Sequence, residues 1–524
     1  MLFNSYQFIF LFLPITLLGF HLLGKEGYNR TAIAWLVGAS LFFYGWWNPA
    51  YLALILFSIV FNYGVGVSLG YAPNSPKKKS VLFLGVASNL GLLGYYKYAN
   101  FFIENINVIT GAEIVLDQII LPLAISFFTF QQIAYLVDVY RDKVKEHNFL
   151  HYCLFVTFFP QLIAGPIVHH KEMLPQFAQA ITYRLRAKHL AVGFTIFVIG
   201  LFKKVVLADG IAVYATPVFE IAEFNVALTF FEAWGGALAY SFQLYFDFSG
   251  YSDMAIGIAR MFGIRLPLNF NSPYKAISII DFWRRWHLTL SRFFRDYLYI
   301  PLGGQRKGEV RRLANLAITM LLGGLWHGAG WTFVFWGGLH GLFLVINHIW
   351  SNAKIKIMGA EGKPSRAGKL ISWMITMVVV VIAWVPFRAS SIEGASNILT
   401  GMMGINGRLS LPSSLAGRLG EIEPWLIEHG VLFNRLSSNG IYKDPLIVIL
   451  WIFFLLLTAT LFPNTQQLLR RYNPGLKINK NELPRSYPWI EWRPTFPWIL
   501  FITGIFVFTV LSLNQISEFL YFQF

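Results

Sequence analysis

Long apolar stretches recur along the whole chain, and they constrain its fold more than any other feature. Four of them approach the length of about 20 residues that crosses the hydrocarbon core of a bilayer: Phe8–Leu23, Leu52–Leu69, Ile119–Val137 and Trp498–Leu513. Only 13% of the 524 residues are charged, roughly half the share of a soluble protein. The sequence therefore predicts an all-α polytopic membrane protein.

The apolar stretches continue from end to end without a long polar block, which predicts one integral-membrane domain over residues 1–524. The hydropathy pattern fits about twelve transmembrane helices. The polar region 389–444 falls on the outer side of the membrane by parity. It is interpreted either as a solvated loop with one or two surface helices or as a docking surface for an external partner.

Two zones interrupt the pattern of spans. Residues 152–167 contain Pro160, Gly165 and Pro166, which predicts a re-entrant hairpin. Residues 245–304 hold little continuous apolar sequence and are expected to be irregular. Because irregular backbone at membrane depth is tolerated only when it is buried or lines a cavity, both zones indicate a cavity wall in the middle of the protein.

The interpretation of the net charge of +16 depends on where the basic residues lie along the chain. Alternate connections between the predicted spans are basic, and the intervening ones are acidic or neutral. Placing the basic connections in the cytoplasm puts both termini outside, in the periplasm of a bacterial inner membrane. The excess positive charge then faces anionic lipid, so no nucleic-acid partner is predicted. The basic connections are Lys25/Arg30, Lys77–Lys79, Arg141/Lys143/Lys145, His169–Lys188, Arg284–Arg312, Lys354–Lys369 and Arg470–Arg493.

His327 is the outstanding candidate for catalysis. It lies in an apolar segment with Gly323, Gly324, Gly328 and Gly330 close to it in sequence. Counting helical residues from the basic end of that segment places it roughly 21 Å into a core about 30 Å thick. An ionisable group at that depth is costly and indicates function. His340, on the next predicted helix, is interpreted mainly as a packed core histidine.

A second histidine, His287, lies in the aromatic and basic segment DFWRRWHLTLSR, residues 281–292. If this segment folds toward His327, the two imidazoles can share the work of positioning a donor carbonyl and deprotonating an acceptor hydroxyl. Arg284, Arg285 and Arg295 are candidates for binding the phosphate groups of a nucleotide-containing donor. As an alternative, these arginines serve only as anchors at the lipid surface.

Asp247 and Asp253 are carboxylates in an apolar setting, and buried charges need partners. We expect them to pair with arginine. No metal site is predicted, because the chain has one cysteine, Cys153, and neither an HExxH motif nor a cysteine cluster. The phosphate-binding motifs GxxxxGK[ST] and GxGxxG are absent as well.

Several long motifs resemble the membrane-bound O-acyltransferase (MBOAT) family, in particular its bacterial alginate O-acetylation branch. They occur in the expected order and cover most of the chain: MLFNSYQFIFLFLP at 1–14, KYANF at 97–101, LIAGPI at 162–167, LYFDFSGYSDMAIG at 244–257, DFWRRWH at 281–287 and LLGGLWHG at 321–328. The resemblance implies a ring of helices plus re-entrant segments around a central tunnel. It places the essential histidine at His327 and the second polar position at His287.

The resemblance also implies a reaction. Members of this branch draw acetyl groups from a cytoplasmic thioester, here expected to be acetyl-CoA, for O-acetylation of an envelope polysaccharide or exopolysaccharide such as alginate, cellulose or peptidoglycan. A periplasmic O-acetyltransferase partner completes the transfer to the sugar. No bound cofactor is expected, since the thioester is a substrate.

The motif FLYFQF at 519–524 resembles the C-terminal acceptor motif of the small partner of the teichoic-acid D-alanylation enzyme, in which a tyrosine carries the acyl group. Tyr521 is thus a candidate acyl acceptor fused to the membrane protein itself. The alternative for this segment is an aromatic interfacial anchor. For the whole chain, the alternatives are a transporter of a polysaccharide or lipid intermediate, and an acyltransferase that acts directly on a lipid or sugar.

Overall fold

The protein is described here from a computed structural model that covers residues 1–71, 76–144, 148–358, 365–405, 409–412, 417–429, 431–434, 441–476, 487 and 490–513. The described residues are predominantly helical, as the sequence predicts. The N-terminal α-helices are Leu13–Lys25 (α1), Asn29–Gly45 (α2), Ala50–Tyr71 (α3), Pro76–Leu93 (α4), Ala99–Thr110 (α5), Ile125–Tyr140 (α6), Phe149–Thr157 (α7), Phe159–Leu162 (α8) and His170–Phe177 (α9).

The middle of the chain forms the longest helices. They are joined by short helical turns and by an irregular stretch between Met261 and Ile279. The helices are Ala187–Phe202 (α10), Asp209–Ala222 (α11), Phe230–Met261 (α12), Ile279–Trp283 (α13), Leu288–Phe294 (α14), Glu309–His327 (α15), Trp331–Met358 (α16) and Arg366–Arg388 (α17).

The C-terminal part holds shorter helices and one pair of strands. The helices are Ile392–Met402 (α18), Ile422–Glu428 (α19), Pro445–Thr460 (α20), Thr465–Leu468 (α21) and Phe496–Leu511 (α22). Strands Leu409–Pro412 (β1) and Val431–Asn434 (β2) pair in parallel, with Leu409 opposite Val431. The predicted external region thus contains two helices, α18 and α19, and a small strand pair that the sequence analysis did not anticipate.

Shorter π-helical and 3-10 segments extend or link these helices. The π-helical segments are Phe8–Phe12, Gly94–Tyr98, Lys203–Ala208 and Arg295–Tyr299, and the 3-10 segments are Ala180–Tyr183, Pro273–Lys275 and Arg470–Tyr472. Of these, Gly94–Tyr98 and Arg295–Tyr299 contribute residues to the site described below.

Five helical stretches within the described residues are long and apolar enough to cross a membrane: Phe8–Lys25, Ala50–Tyr71, Ala187–Ala222, Trp331–Lys356 and Arg366–Arg388. Two shorter apolar helices, α20 and α22, accompany them. The protein is an all-α, multi-pass membrane protein. The count of about twelve crossings, their arrangement as a ring and the single-domain organisation stay predictions.

Two boundaries differ from those expected from hydropathy. The stretch predicted to span from Ile119 becomes helical only at Ile125, because Ala124 just before it has a left-handed backbone with φ of 60°. Pro122 also disfavours helical geometry at Leu121. The zone from Tyr245 to Gly304 was expected to be irregular, but Tyr245–Met261 is the second half of the continuous helix α12. Carboxylates and serines lower the hydropathy of this half without breaking its helix.

Helix α12 is buried along most of its length because it packs closely against α10. Two glycine pairs, seven residues apart on each helix, bring the backbones together. A Cβ on Gly200 would lie 2.6 Å from the carbonyl oxygen of Gly250, and one on Gly193 would lie 2.6 Å from that of Gly257. Small residues at such crossings allow close packing of helices where burial in lipid offers no driving force.

Residues 152–169 are all buried, and the predicted interruption is present. Helix α7 ends at Thr157, Phe158 breaks the helical geometry, and α8 covers only four residues. The irregular stretch that follows is held by a hydrogen bond from the amide of Ile167 to the hydroxyl of Thr289, 3.0 Å long. Thr289 follows His287 closely, so this broken segment supports the second candidate histidine.

The basic connections contact one another at one end of the molecule. Lys78 pairs with Asp142 at 3.1 Å, and Arg292 pairs with Glu172 at 2.5 Å. At the other end, the carboxylate of Glu223 accepts a hydrogen bond of 2.5 Å from the hydroxyl of Ser391. Segments that the charge pattern assigns to the same side of the membrane therefore lie together in space.

The apolar core of the described residues consists of two clusters, and the candidate site lies between them. The first cluster contains Trp326 and the later residues of α12. The second contains Trp336, Phe387 and the earlier residues of α12, including Phe248. The long helix α12 thus belongs to both clusters, and the segment around His327 lies where they meet.

Candidate active site

His327 is the last residue of α15, and the chain leaves the helix at Gly328 in an extended conformation. Helix α16 returns alongside α15 at very close range. A Cβ on Gly324 would clash with the carbonyl oxygen of Phe333, and one on Gly328 would clash with the ring of the same phenylalanine. These two glycines therefore permit the tight turn that places His327 inside the protein.

The imidazole of His327 is buried among aromatic rings. Its ring centroid lies 4.8 Å from that of Trp326, 5.1 Å from that of Trp336 and 5.1 Å from that of Phe387. All three rings meet the imidazole edge to face. Aromatic packing of this kind fixes the orientation of the ring without consuming its hydrogen-bonding capacity.

The backbone at the end of α15 is held by the segment Gly94–Tyr98. The Lys97 ammonium donates hydrogen bonds to the carbonyl oxygens of Trp326 and His327, the latter at 3.1 Å. The Tyr98 hydroxyl donates to the carbonyl oxygen of Leu325 at 2.9 Å. Lys97 and Tyr98 were not among the site residues predicted from the sequence. The only sequence signal was their place in the KYANF motif.

His287 precedes α14 and has a left-handed backbone, with φ of 42°. Its side chain is almost completely buried, and its ring lies 4.7 Å from that of Phe248. Both ring nitrogens are buried without a hydrogen-bond partner among the described residues. A buried imidazole with free nitrogens can donate to or accept from a substrate, which makes His287 a candidate for function.

His340 has a different environment. Its Nδ1 accepts a hydrogen bond of 3.3 Å from the indole N–H of Trp283. Its ring packs against Trp336, with a centroid separation of 4.9 Å. These contacts agree with the interpretation of His340 as a packed core histidine.

The largest cavity that reaches His327 has basic residues at its far end, and we call it the basic cavity. Its volume of about 1170 Å³ includes space open to the outside, and it is lined by residues of α13 to α16, including Arg284, Arg295, Arg312 and His327. Arg312 and His327 lie fifteen residues apart on α15, which corresponds to about 22 Å along the helix axis. The basic cavity therefore extends from a cluster of arginines to the candidate catalytic histidine.

A second cavity reaches His327 from the other direction, and we call it the opposite cavity. It is narrow and is lined by Lys97, Trp326, His327 and the residues 121–127. Helix α6 starts at this cavity and ends near the basic cavity, because its Asp138 accepts a hydrogen bond of 3.0 Å from Tyr297, close to Arg295. From Ile125 to Asp138 the helix rises about 20 Å, so the two cavities open toward opposite ends of the molecule.

A third, much narrower cavity also reaches His327. It is lined by His327 and by Leu244, Phe248, Trp286, Trp336, Trp384 and Phe387. Phe248 also contacts His287. The structure therefore brings the surroundings of His287 and His327 together, as the sequence analysis required for a shared role.

The arginines proposed to bind the donor fall into two groups. Arg284 and Arg295 line the basic cavity, and Arg295 also pairs with Asp296 at 2.8 Å. Arg285 does not line it; its guanidinium contacts Asp281 at 2.8 Å. Arg312, which lines the basic cavity, was missed as a site residue, because its place on the helix is decided by tertiary packing.

The two carboxylates of α12 are paired, but with lysines rather than with the arginine that the sequence analysis expected. Lys204 lies 2.6 Å from Asp247 and 2.7 Å from Asp209, and Lys203 lies 2.6 Å from Asp253. The prediction of arginine was wrong because Lys203 and Lys204 lie inside the long apolar stretch Ala187–Ala222. The mean hydropathy of that stretch gives no sign of two lysines at this depth.

Tyr521 and the rest of the FLYFQF motif lie outside the described residues. Within the described residues, no group of three or more His, Cys, Asp or Glu side chains is arranged to hold a metal ion.

Comparison with known proteins agrees with this geometry. The sequence model of the membrane-bound O-acyltransferase family matches residues 140–377, which include both candidate histidines. The chain is 45% identical to the peptidoglycan O-acetyltransferase of Helicobacter pylori, over 89% of this chain and 91% of that one. It is 43% identical to a probable alginate O-acetylase of Pseudomonas putida, over 77% and 80% of the two chains.

A more distant relative shares a shorter region. The teichoic acid D-alanyltransferase of Streptococcus thermophilus is 30% identical over 44% of this chain and 58% of its own length. The extent and identity of the bacterial O-acetylase matches confirm the resemblance drawn from the motifs. The chain belongs to the membrane-bound O-acyltransferase (MBOAT) family and is an acyltransferase.

Proposed function

We propose that this enzyme takes acetyl groups from acetyl-CoA on the cytoplasmic side of the bacterial inner membrane and delivers them for O-acetylation of an envelope polysaccharide. The relatives named peptidoglycan O-acetyltransferase and probable alginate O-acetylase support both the acetyl group and the class of acceptor. Membership of an acyltransferase family favours this function over a transporter of a polysaccharide or lipid intermediate.

The observation that carries the proposal is the position of His327, which lines both the basic cavity and the opposite cavity. Donor and acceptor can then meet at one side chain while entering from opposite ends. Arg284, Arg295 and Arg312 suit the phosphate groups of coenzyme A. The path of about 22 Å from Arg312 to His327 leaves room for the extended arm of the donor, whose thioester is then at the histidine.

The chemistry follows from these positions. A nitrogen of His327 accepts the proton of the acceptor hydroxyl while the hydroxyl oxygen attacks the thioester carbonyl carbon. The tetrahedral intermediate collapses, the carbon–sulfur bond breaks, and the thiolate of coenzyme A takes up the proton from His327. His287, with its unpartnered ring nitrogens, orients the carbonyl or stabilises the developing oxyanion.

In this proposal the first acceptor is the phenol of Tyr521, and acetyl-Tyr521 then passes its acetyl group to a periplasmic O-acetyltransferase. The course of α22 supports that route. The helix follows the basic region 470–493, and near its end the carbonyl oxygen of Val510 accepts a hydrogen bond of 2.9 Å from Tyr6. This contact supports a position of Tyr6 and of the end of α22 on the side away from the basic connections, which the positive-inside rule would assign to the periplasm.

The test is transfer of radiolabelled acetyl from acetyl-CoA to the purified full chain in detergent. We expect label on the wild-type chain and none on Tyr521→Phe or His327→Ala, with His340→Gln as a variant that keeps labelling. Label retained on Tyr521→Phe would exclude Tyr521 as the carrier. Direct transfer to a sugar or lipid acceptor would be shown instead by product formation that survives removal of residues 519–524.

Loss of labelling has a trivial explanation if a variant misfolds, so each protein is first compared by size-exclusion chromatography and thermal unfolding. Addition of unlabelled free coenzyme A after labelling separates a carrier from a dead-end product. A carrier releases its label when coenzyme A is added, since the reverse reaction regenerates the thioester. Stable label that coenzyme A never removes would contradict a shuttle.

A further inference from the structure

The C-terminal end of α15 carries an unusual set of hydrogen bonds. The last four carbonyl groups of an α-helix have no partner within the helix. Here three successive carbonyl oxygens, those of Leu325, Trp326 and His327, accept hydrogen bonds from the side chains of Lys97 and Tyr98. The Lys97 ammonium also meets the partial negative charge at the end of the helix dipole.

The same region of the chain holds the other side of the turn. The indole N–H of Trp331, the first residue of α16, donates a hydrogen bond of 2.9 Å to the side-chain oxygen of Asn105. The ring of Phe101 lies 5.8 Å from that of Trp331. Lys97, Tyr98, Phe101 and Asn105 thus contact both ends of the segment 325–331, and we call these four residues the clamp.

The clamp residues are spaced so that one side of a helix can present them together, since residues four apart are neighbours on a helix surface. Lys97 and Tyr98 end a π-helical turn that continues directly into α5. Single π-helical turns within α-helices occur often at functional sites. The clamp lies outside residues 140–377, the part of the chain that the family model matches.

Between its two ends, the clamped segment is rich in glycine. Gly328 and Gly330 flank Ala329, and glycine loses more conformational freedom on ordering than any other residue. The aromatic rings around His327 orient the imidazole, but they do not bond the backbone that carries it. Hydrogen bonds from the clamp supply that restraint.

We propose that the clamp fixes the segment 325–331 and that Lys97 is a positioning residue for His327. The inference rests on the proposed role of His327 as the general base. Misplacement of a reacting group by about 1 Å can lower a rate by about 100-fold. Loss of the Lys97 hydrogen bonds therefore lowers the rate of acetyl transfer without weakening donor binding, which takes place in the basic cavity.

The first experiment does not depend on catalysis. Hydrogen–deuterium exchange is measured on the purified full chain for peptides that cover 325–331, with peptides from α12 as the internal reference. We expect faster exchange in Lys97→Met, a smaller increase in Tyr98→Phe and none in Tyr95→Phe. Tyr95 provides the matched control because it lies in the same helical turn and its ring is 56% exposed.

The second experiment measures kcat and KM for acetyl-CoA with the same variants. For Lys97→Met we expect kcat to fall about 100-fold with KM unchanged, and partial recovery in Lys97→Arg, which keeps the charge and the donors. Asn105→Ala, which frees only the Trp331 side of the turn, gives a smaller loss. If Lys97→Met does not fold, Lys97→Arg and Asn105→Ala test the positioning role in its place.

The two experiments fail in distinguishable ways. Unchanged exchange of 325–331 in Lys97→Met and Tyr98→Phe would overturn the clamp. Faster exchange with a normal kcat would overturn the role of Lys97 in positioning His327. Absence of acetyl transfer in the wild-type protein would remove the proposed function, while the exchange data would still decide whether the clamp exists.

Discussion

The ammonium group of Lys204 lies 2.6 Å from the carboxylate of Asp247, and both side chains are about 2% exposed. Asp209 completes the cluster at 2.7 Å from the same ammonium. Lys204 belongs to the π-helical segment between α10 and α11, and Asp247 lies at the middle of α12. This buried cluster therefore joins α12 to the π-helical segment Lys203–Ala208 and to the start of α11.

Replacement of Lys204 by methionine leaves two carboxylates buried without their cation. Removing one partner of a buried pair costs roughly 3–5 kcal/mol, and we expect Lys204→Met to lower the free energy of unfolding by about that amount. Asp247→Asn keeps Lys204 paired with Asp209 and should cost less. Thermal unfolding of the detergent-solubilised variants ranks the two, and equal stability of Lys204→Met and wild type would contradict the structure.

The glycine pairs between α10 and α12 give a second stability prediction. In Gly200→Ala, the new methyl group would lie 2.6 Å from the carbonyl oxygen of Gly250, so the helices must separate. Overpacking of this kind costs roughly 1–3 kcal/mol. Gly64→Ala in α3 is the matched control, since no described atom lies within 4 Å of its new Cβ. We expect a lower unfolding temperature for Gly200→Ala only.

Because the backbone of His287 is left-handed, two substitutions can separate an effect on folding from an effect on acetyl transfer. Asparagine tolerates this conformation better than a β-branched residue does, so we expect His287→Asn to fold like wild type and His287→Val to lose stability. Both variants should lose acetyl transfer because neither keeps the imidazole. Circular dichroism and labelling of the same preparations check this, and normal labelling of His287→Asn would remove His287 from the site.

The arginines that line the basic cavity should affect the affinity for the donor, whereas Arg285, which does not line it, should not. A hydrogen bond to a charged group is worth about 1.5–3 kcal/mol, so Arg284→Gln and Arg295→Gln should each raise KM for acetyl-CoA by roughly ten- to a hundredfold. Arg285→Gln, whose parent side chain pairs with Asp281, should leave KM unchanged. Steady-state kinetics at two salt concentrations test this, and a larger effect at Arg285 than at Arg295 would place the donor elsewhere.

The ion pair between Glu172 and Arg292 predicts a dependence of stability on pH. Burial raises the pKa of Glu172, but hydrogen bonds from Arg292 and its charge outweigh this and hold the pKa below its usual value. The folded state therefore favours the carboxylate, and the pair stabilises the protein above the unfolded pKa of about 4.3. As pH falls through that value and then through the lower folded pKa, the stabilisation is lost.

The measurement is the difference in unfolding temperature between wild type and Glu172→Gln at a series of pH values. The difference should be constant near neutrality and should shrink below pH of about 4.3. A difference that grows in acid would show that the protonated form of Glu172 is the one favoured in the folded protein.

Several features could be predicted from sequence because they depend on composition and local order. The recurring apolar stretches identify a multi-pass helical protein, since only helices and closed barrels satisfy the backbone in lipid. The depth of His327 follows from counting helical residues from Arg312. The glycines around His327 predict a close turn, and the close approach of Phe333 to Gly324 and Gly328 confirms it.

Other features depended on contacts between residues far apart in the chain. Nothing local to Arg284 and Arg285 separates them, yet only Arg284 lines the basic cavity. The pairing of Asp247 with Lys204 required α12 to lie against the π-helical segment that precedes α11. Lys97 reaches the end of α15 across 230 residues, a relationship that no pattern near either residue records.

The sequence by itself determined the class of protein and the two candidate histidines, and it predicts a side of the membrane for each connection, because hydropathy, charge and glycine spacing act locally. Tertiary structure decided which side chains share a cavity with His327 and which side chains hold its backbone. Those properties arise only when distant helices pack, because a buried polar group takes whichever partner the packing places within hydrogen-bond distance.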